Sequence, residues 1–435
     1  MVRRRSATKE EGHAARFPVS RYDAYVSLGS PLSDLHARCV LSFTGRIDAD
    51  RLAEATRLVL EAEPVLASRF VRRSSWPYWE KPGELDDGKI FSIVAAPDVG
   101  PLVTEHLAAP RDPFAAPQVE VCLFRSERDL VSIKGSHVAT DGAGLAECAY
   151  LLAAAYRALG GNPASFFPEG RIALDPDRLL ERSSLPSLLV SLRRAVGPRL
   201  AWGFPVTEGD PADRGYAIRR IERERIADVK DFAARHSASV GEVLLTAFWR
   251  ALFDLLDPNV GTLFPIRVPV SLRRYLPAGH PPVLRNFFGN VQPAIRRARG
   301  EAFAETLERV LQAIAPLKAD RPGLAMVPFR RALFTLGYAP GQWAATRTID
   351  RAVREGHSGL VFSNVGVLDS ERLSFGDVPV IGAFILGPIA FAPSFCLAAT
   401  TYQSAMTLSA GFSCAKTQRP LVEELLDRIA AELPF

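Results

Sequence analysis

The side chain in this sequence best matched to proton chemistry near neutral pH is His137, one of only seven histidines in 435 residues. It stands in Gly135-Ser136-His137-Val138-Ala139-Thr140-Asp141-Gly142, beyond an alternating apolar run at residues 130–134 and ahead of a helical pattern. An imidazole at a strand end beside a helix start lies in a crevice between two elements. There it can take a proton and return it as a general base. Asp141, four residues on, occupies a helix N-cap position, where free N–H groups and the helix dipole favour a carboxylate. Gly142 permits tight passage of the backbone. The same spacing admits a plainer reading, with Asp141 only a cap and His137 an incidental strand-end histidine. The other histidines (His13, His36, His106, His236, His280 and His357) lie in polar or loop-like surroundings and have no comparable setting.

The elements that must position this loop are legible from periodicity. Leu130, Val131 and Ile133 predict the strand before His137. Leu145, Cys148, Leu152, Ala155 and Leu159 predict the helix after it, ended by Gly160-Gly161. Upstream, Cys39, Leu41 and Phe43 alternate as a strand. Asp48 or Asp50 then caps a helix carrying Leu52, Ala55, Val59 and Ala62, which stops before Pro64. Residues 65–71 read as a further strand. Later come a strand opening at Ile218 and Ile221, a helix through Val240, Val243, Leu244, Ala247, Phe248, Ala251 and Leu252, and a strand at residues 264–270. Alternating strands and helices predict α/β or α+β layers. Residues 166–213 are rich in Pro, Ser and Gly around a basic helical stretch near 188–196, which makes them a connection between halves. The expected division is 1–185, a connection at 186–215, and 216–435.

Composition narrows the alternatives. With 48% hydrophobic and 23% charged residues the chain reads as globular, able to bury a large core without covalent staples. Lys+Arg exceeds Asp+Glu by 53 to 48, but the arginine doublets are scattered rather than gathered into a stripe with aromatics, so nucleic acid is not an expected partner. Cys39, Cys122, Cys148, Cys396 and Cys414 form no metal or disulfide pattern and fit buried thiols in a reducing compartment. Residues 378–415 carry no charge, yet Gly382, Gly387, Pro388, Pro393 and Gly411 punctuate them and Thr400, Thr401, Gln403 and Ser404 fill their middle. They read as buried strands and turns rather than a membrane span. The first fifteen residues lack the apolar core of a signal peptide, so the expected location is the cytoplasm. No phosphate loop, nucleophile elbow or zinc motif is present, and Gly142-Ala143-Gly144 lacks the third glycine of a dinucleotide turn.

Residues 136–142 resemble the HHxxxDG motif of the CoA-dependent acyltransferase superfamily, which includes chloramphenicol acetyltransferases, peptide-synthetase condensation domains, alcohol O-acetyltransferases, polyketide-associated acyltransferases and wax ester synthases. Further segments match in family order across nearly the whole chain. Phe17-Pro18-Val19-Ser20-Arg21-Tyr22-Asp23 resembles the opening segment. Glu63-Pro64-Val65-Leu66-Ala67-Ser68-Arg69-Phe70 resembles the HExLRxxF element. Val268-Pro269-Val270-Ser271-Leu272-Arg273 resembles the VPVxLR strand. Phe288-Gly289-Asn290 resembles the following turn, and Ser363-Asn364-Val365-Gly366 the late SNxG strand end. Three departures stand out: Ser136 replaces the first motif histidine, Glu63-Pro64 replaces the usual His-Glu, and Arg285-Asn286-Phe287-Phe288-Gly289-Asn290 matches the glycine turn only approximately.

The resemblance implies two chloramphenicol-acetyltransferase-like halves of α/β (α+β two-layer) build, forming a V with an active-site tunnel between them. It implies acyl transfer from a thioester donor to a hydroxyl or amine of a small metabolite, with His137 as general base and no covalent enzyme intermediate. Asp141 would turn away and pair with an arginine, Arg273 first and Arg285 second. Gly142 and nearby N–H groups, or Ser363, would support the oxyanion, and Asn364 would tie the late strand to the tunnel wall. Ser136, Thr140 and Asn290 are tunnel candidates. Acyl-CoA or acyl-pantetheine would be a co-substrate, with no permanently bound cofactor, no metal and a monomeric chain. Two other readings stand beside this one. The first is a stand-alone condensation enzyme of natural-product biosynthesis using acyl or aminoacyl groups on an acyl or peptidyl carrier protein. The second is a non-catalytic condensation-like binding protein, prompted by Ser136.

Overall fold

The computed structural model describes residues 15–163, 166, 202–210, 213–319 and 321–435. Strand β1 (Ala15–Pro18) leads into helix α1 (Arg21–Ser27), whose capping box is closed by Ser20 and Asp23. Strand β2 (His36–Phe43) is followed by helix α2 (Ala49–Ala62), which Asp48 caps and which buries Leu52, Ala55 and Val59. Strands β3 (Arg69–Val71) and β4 (Tyr78–Lys81), helix α3 (Asp87–Ile90), strand β5 (Phe91–Ala95) and helix α4 (Gly100–Ala108) come next. Strands β6 (Val119–Arg125) and β7 (Leu130–Ser136) then deliver the chain to helix α5 (Gly142–Gly160).

The later half holds strand β8 (Arg214–Ile221), helices α6 (Arg223–Arg235) and α7 (Val240–Leu256), and strand β9 (Leu263–Ser271), closed by a 3-10 turn at Leu272–Tyr275. Strands β10 (Phe288–Val291) and β11 (Ala294–Arg296) precede helices α8 (Phe303–Lys318), α9 (Met326–Leu333) and α10 (Tyr338–Arg354). The chain ends with strands β12 (Leu360–Val367), β13 (Val380–Leu386), β14 (Phe395–Tyr402) and β15 (Ala405–Ser413) and helix α11 (Arg419–Glu432).

The strand expected over 65–71 is confined to β3. Residues 63–68 turn instead, with the Leu66, Ala67 and Ser68 N–H groups bonded three residues back at 2.9, 3.2 and 3.0 Å. The uncharged run 378–415 becomes β13, β14 and β15, and among the described residues no helix is long and apolar enough to cross a membrane. Most of the connection expected at 186–215, with the basic stretch near 188–196, lies outside the described residues.

Two large sheets organise the molecule. One has five strands in the order β13-β2-β7-β6-β5; the other orders β10-β9-β12-β14-β15-β8, with β11 also on β9. Helices α2 and α5 share the first core with β2 and β7. A second core unites α7, α11 and the second sheet. Strand β13 crosses between the halves: it comes from the later part of the sequence yet pairs antiparallel with β2, setting Ala383 opposite Leu41 and Ile385 opposite Cys39. Both Ala383 and Ile385 are buried in the first core. The crossing protects β2 from being an open sheet edge, and sheet membership therefore does not follow the boundary at residue 216.

The face of the five-stranded sheet turned away from α2 and α5 carries charge. Arg38 on β2 and Glu120 on β6 stand directly opposite Lys134 on β7. Asp34 accepts Arg38 at 2.6 Å and Arg214 of β8 at 3.4 Å, so the row is tied to the second sheet. Tyr216 of β8 lies under the Arg38 guanidinium, 5.4 Å away, and donates to the Gly387 carbonyl at 2.7 Å. His36 and His106 belong to this layer, and burial pushes both imidazoles down to about 4.

Two outcomes follow. Ile385→Asp should place an unpaired carboxylate in the first core and lower unfolding stability by at least about 3 kcal/mol. An unchanged urea midpoint would show that β13 is dispensable. Between pH 4 and 6.5 the unfolded chain binds protons at His36 and His106 that the native state refuses, so stability should fall as pH drops through that window. Urea midpoints at pH 7, 6, 5 and 4 check this, and His36→Asn/His106→Asn should flatten the slope.

Candidate functional site

Strand β7 ends where its backbone folds over. The Ala139 and Thr140 N–H groups both donate to the Ser136 carbonyl, at 3.0 and 3.1 Å, while the His137 N–H donates to Leu35 at 2.7 Å. This turn lifts His137 out of the strand. Its ring is half-buried and lies 5.8 Å from the Phe288 ring, and Nδ1 has no hydrogen-bond partner. Asp141, in extended conformation, then starts α5.

The loop is held from the other half of the molecule. Asp141, only 5% exposed, accepts three hydrogen bonds and has one further ion-pair contact. Its Oδ1 accepts the Gly144 N–H at 2.7 Å and lies 2.9 Å from Arg273 Nη2; its Oδ2 accepts the Phe287 N–H at 2.7 Å and Arg273 Nη1 at 3.0 Å. Arg273 also donates to the Val283 and Arg285 carbonyls, both at 2.8 Å from Nη2. Asn286 Nδ2 grips the His137 carbonyl at 3.0 Å and the Val138 carbonyl at 2.8 Å, and Thr140 Oγ1 donates to Leu284 at 2.5 Å. A Cβ on Gly144 would stand 2.1 Å from the Leu284 carbonyl oxygen, so the close approach of the two halves demands glycine there. The tight passage expected at Gly142 is instead at Gly144; a Cβ on Gly142 would make only an ordinary 3.5 Å contact with Val365.

Other candidates separate into those near this clamp and those apart from it. Arg285 does not brace Asp141: it pairs with Asp23 of α1, which also accepts Trp79 and Asn286, both at 3.3 Å. Of the tunnel candidates, Ser136 and Thr140 are 2% and 1% exposed; Ser136 Oγ donates to the Pro113 carbonyl at 2.7 Å and Thr140 Oγ1 to the Leu284 carbonyl. Asn290 is half-buried on β10, with its Oδ1 unpartnered. Ser363 is half-buried on β12, and Asn364 is exposed, accepting the Gly366 N–H at 3.0 Å across a bulge in that strand. Sequence reasoning missed Asn286, the Phe287 N–H and Gly144. Their signals lay inside segments already singled out, at Arg285-Asn286-Phe287 and Gly142-Ala143-Gly144.

This arrangement offers one imidazole, and the adjacent Ser136 hydroxyl is committed to the Pro113 carbonyl. Asp141 is engaged by Gly144, Phe287 and Arg273 while His137 Nδ1 has no partner, so a Ser-His-Asp type relay is not built here. The opening N–H groups of α5 have no intrahelical acceptor and are donors of the kind that stabilise an oxyanion. Among the described residues no three His, Cys, Asp or Glu side chains are grouped to hold a metal.

The fold is shared with condensation domains and with an O-acetyltransferase. The first condensation domain of the CDA synthetase matches over 96% of this chain and 95% of its own, with TM-score 0.69 at 17% identity. Trichothecene 15-O-acetyltransferase from Fusarium sporotrichioides matches over 99% and 97%, with TM-score 0.71 at 13% identity. Polyketide synthase associated protein 5 from Mycobacterium tuberculosis matches over 97% and 98%, with TM-score 0.68 at 14% identity. No protein-family model matches the chain, and no curated protein matches it in sequence.

Removing one partner of a buried ion pair leaves a charge without compensation, at a cost of about 3–5 kcal/mol. Asp141→Ala should lose stability on that scale by urea unfolding. Adding Arg273→Met should restore part of it, giving a positive coupling in a double-mutant cycle. Full stability of Asp141→Ala would deny the carboxylate a structural role.

Proposed function

We propose that the chain is an acyltransferase that moves an acyl group from a thioester to a hydroxyl or amine of a small metabolite, with His137 as general base. The observation that carries this reading is the half-buried His137 imidazole, presented on a loop gripped from both halves, with the hydroxyl of the adjacent Ser136 turned to the Pro113 carbonyl. Ser136, which could prompt a non-catalytic reading, spends its hydroxyl on Pro113 and so pins the loop that carries His137.

In the proposed step the acceptor oxygen or nitrogen attacks the thioester carbonyl carbon while His137 takes its proton. The tetrahedral oxyanion would be met by N–H groups at the start of α5 around Gly142, with the Ser363 hydroxyl as a second donor. Collapse breaks the C–S bond, and the imidazolium returns the proton to the departing thiolate. Base catalysis contributes about 10²–10⁴ in rate, and holding the two substrates together supplies much of the rest. Asp141 and Arg273 position the loop and do not touch the reacting atoms.

The donor in this reading is acyl-CoA or another acyl-pantetheine, consumed as a co-substrate. Likeness to condensation domains supports a second reading, in which the donor is carried on a carrier protein. The cysteines, all free thiols, fit an enzyme of a reducing compartment. Thiol release from a panel of acyl-CoAs, with mass detection of acylated acceptors, tests the reading. His137→Ala should fall at least about 100-fold, and equal release by wild type and variant would overturn it.

A further inference from the structure

The charged face of the five-stranded sheet holds a cavity of about 400 Å³, lined by Phe91, Ser92, His106, Arg111, Glu120 and Lys134 together with α3, whose Lys89 pairs with Asp86 at 3.6 Å, and apolar residues of the 109–116 loop. That volume suits a small-molecule site. The Lys134 side chain is 2% exposed; its Nζ donates to the His106 carbonyl at 2.8 Å and lies 3.4 Å from Glu120. Arg111 pairs with the same carboxylate and donates to the Pro117 carbonyl at 2.6 Å.

Two cations thus share one carboxylate, and a positive charge is left over at the cavity wall. The neighbouring strand does not cancel it. Arg38, opposite Lys134, is itself a cation, and Asp34 is occupied by Arg38 and Arg214. His106 is held neutral by burial, and its Nε2 is buried with no hydrogen-bond partner. A largely buried positive charge and an orphaned ring nitrogen are both costly unless an anion meets them.

We propose that this cavity binds a small carboxylate, with Lys134 and Arg111 facing its charge and His106 Nε2–H donating to one oxygen. One surplus charge and one neutral donor match a monoanion with two acceptor oxygens. A phosphate dianion would overcompensate and leave buried negative charge. The apolar part of the lining suits a short alkyl chain. The site is separate from His137, though the loop that roofs it also takes the Ser136 hydroxyl at Pro113.

Isothermal titration of the full chain with sodium butyrate, at constant ionic strength, tests this. Wild type and His137→Ala should bind one butyrate with equal affinity, and Lys134→Met should bind at least tenfold more weakly. Ala109→Leu, which narrows the cavity without altering its charges, should also weaken binding while circular dichroism stays native. No butyrate binding to wild type, or unchanged binding in both cavity variants, would overturn the proposal. Inorganic phosphate binding more tightly than butyrate would overturn the carboxylate assignment.

Discussion

The Asp141 carboxylate is the constraint on which the candidate site depends. It is buried, and its two oxygens accept the Gly144 and Phe287 N–H groups and Arg273 Nη1, with Arg273 Nη2 in ion-pair contact. An ionised carboxylate so placed is tolerable only because it is paired with Arg273 and hydrogen-bonded on both oxygens. Those bonds clamp the start of α5 to the end of β9, and the His137 turn hangs from the clamp. Asn286 and Thr140 extend the grip on either side. Neither half alone could hold this loop.

A consequence is that the chemistry rests on a single ring. In a relay, a carboxylate would orient the histidine; here the nearby carboxylate is fully engaged elsewhere and His137 Nδ1 has no partner. Orientation comes instead from backbone bonds at both edges of the turn and from the Phe288 ring. Such a base suits a direct transfer between two bound substrates, where positioning does much of the work. The position before it illustrates the same economy: Ser136 is a peg into the 109–118 loop rather than a wall of the site.

Local signals were legible wherever one element satisfies itself. The Asp48 cap, the helix after Asp141, the strand before His137 and the strands within the uncharged 378–415 run all follow from periodicity and capping, which depend on near neighbours. The reading was weaker at 65–71, where an apolar run of strand length instead forms successive turns stabilised by their own backbone bonds. It was blind to the charged layer, because Arg38, Glu120 and Lys134 meet only through strand register.

By itself the sequence determined the type of fold, the loop that carries His137 and the cap that follows it. Those properties belong to residue types at short spacing. Only the tertiary structure decided which arginine meets Asp141, why glycine is needed at 144 rather than 142, and that β13 completes the sheet of the other half. Each of these turns on contacts between segments distant in the chain, where Arg273 and Arg285 look alike in sequence but reach different carboxylates. Distance along the chain does not encode direction in space, and packing settles it.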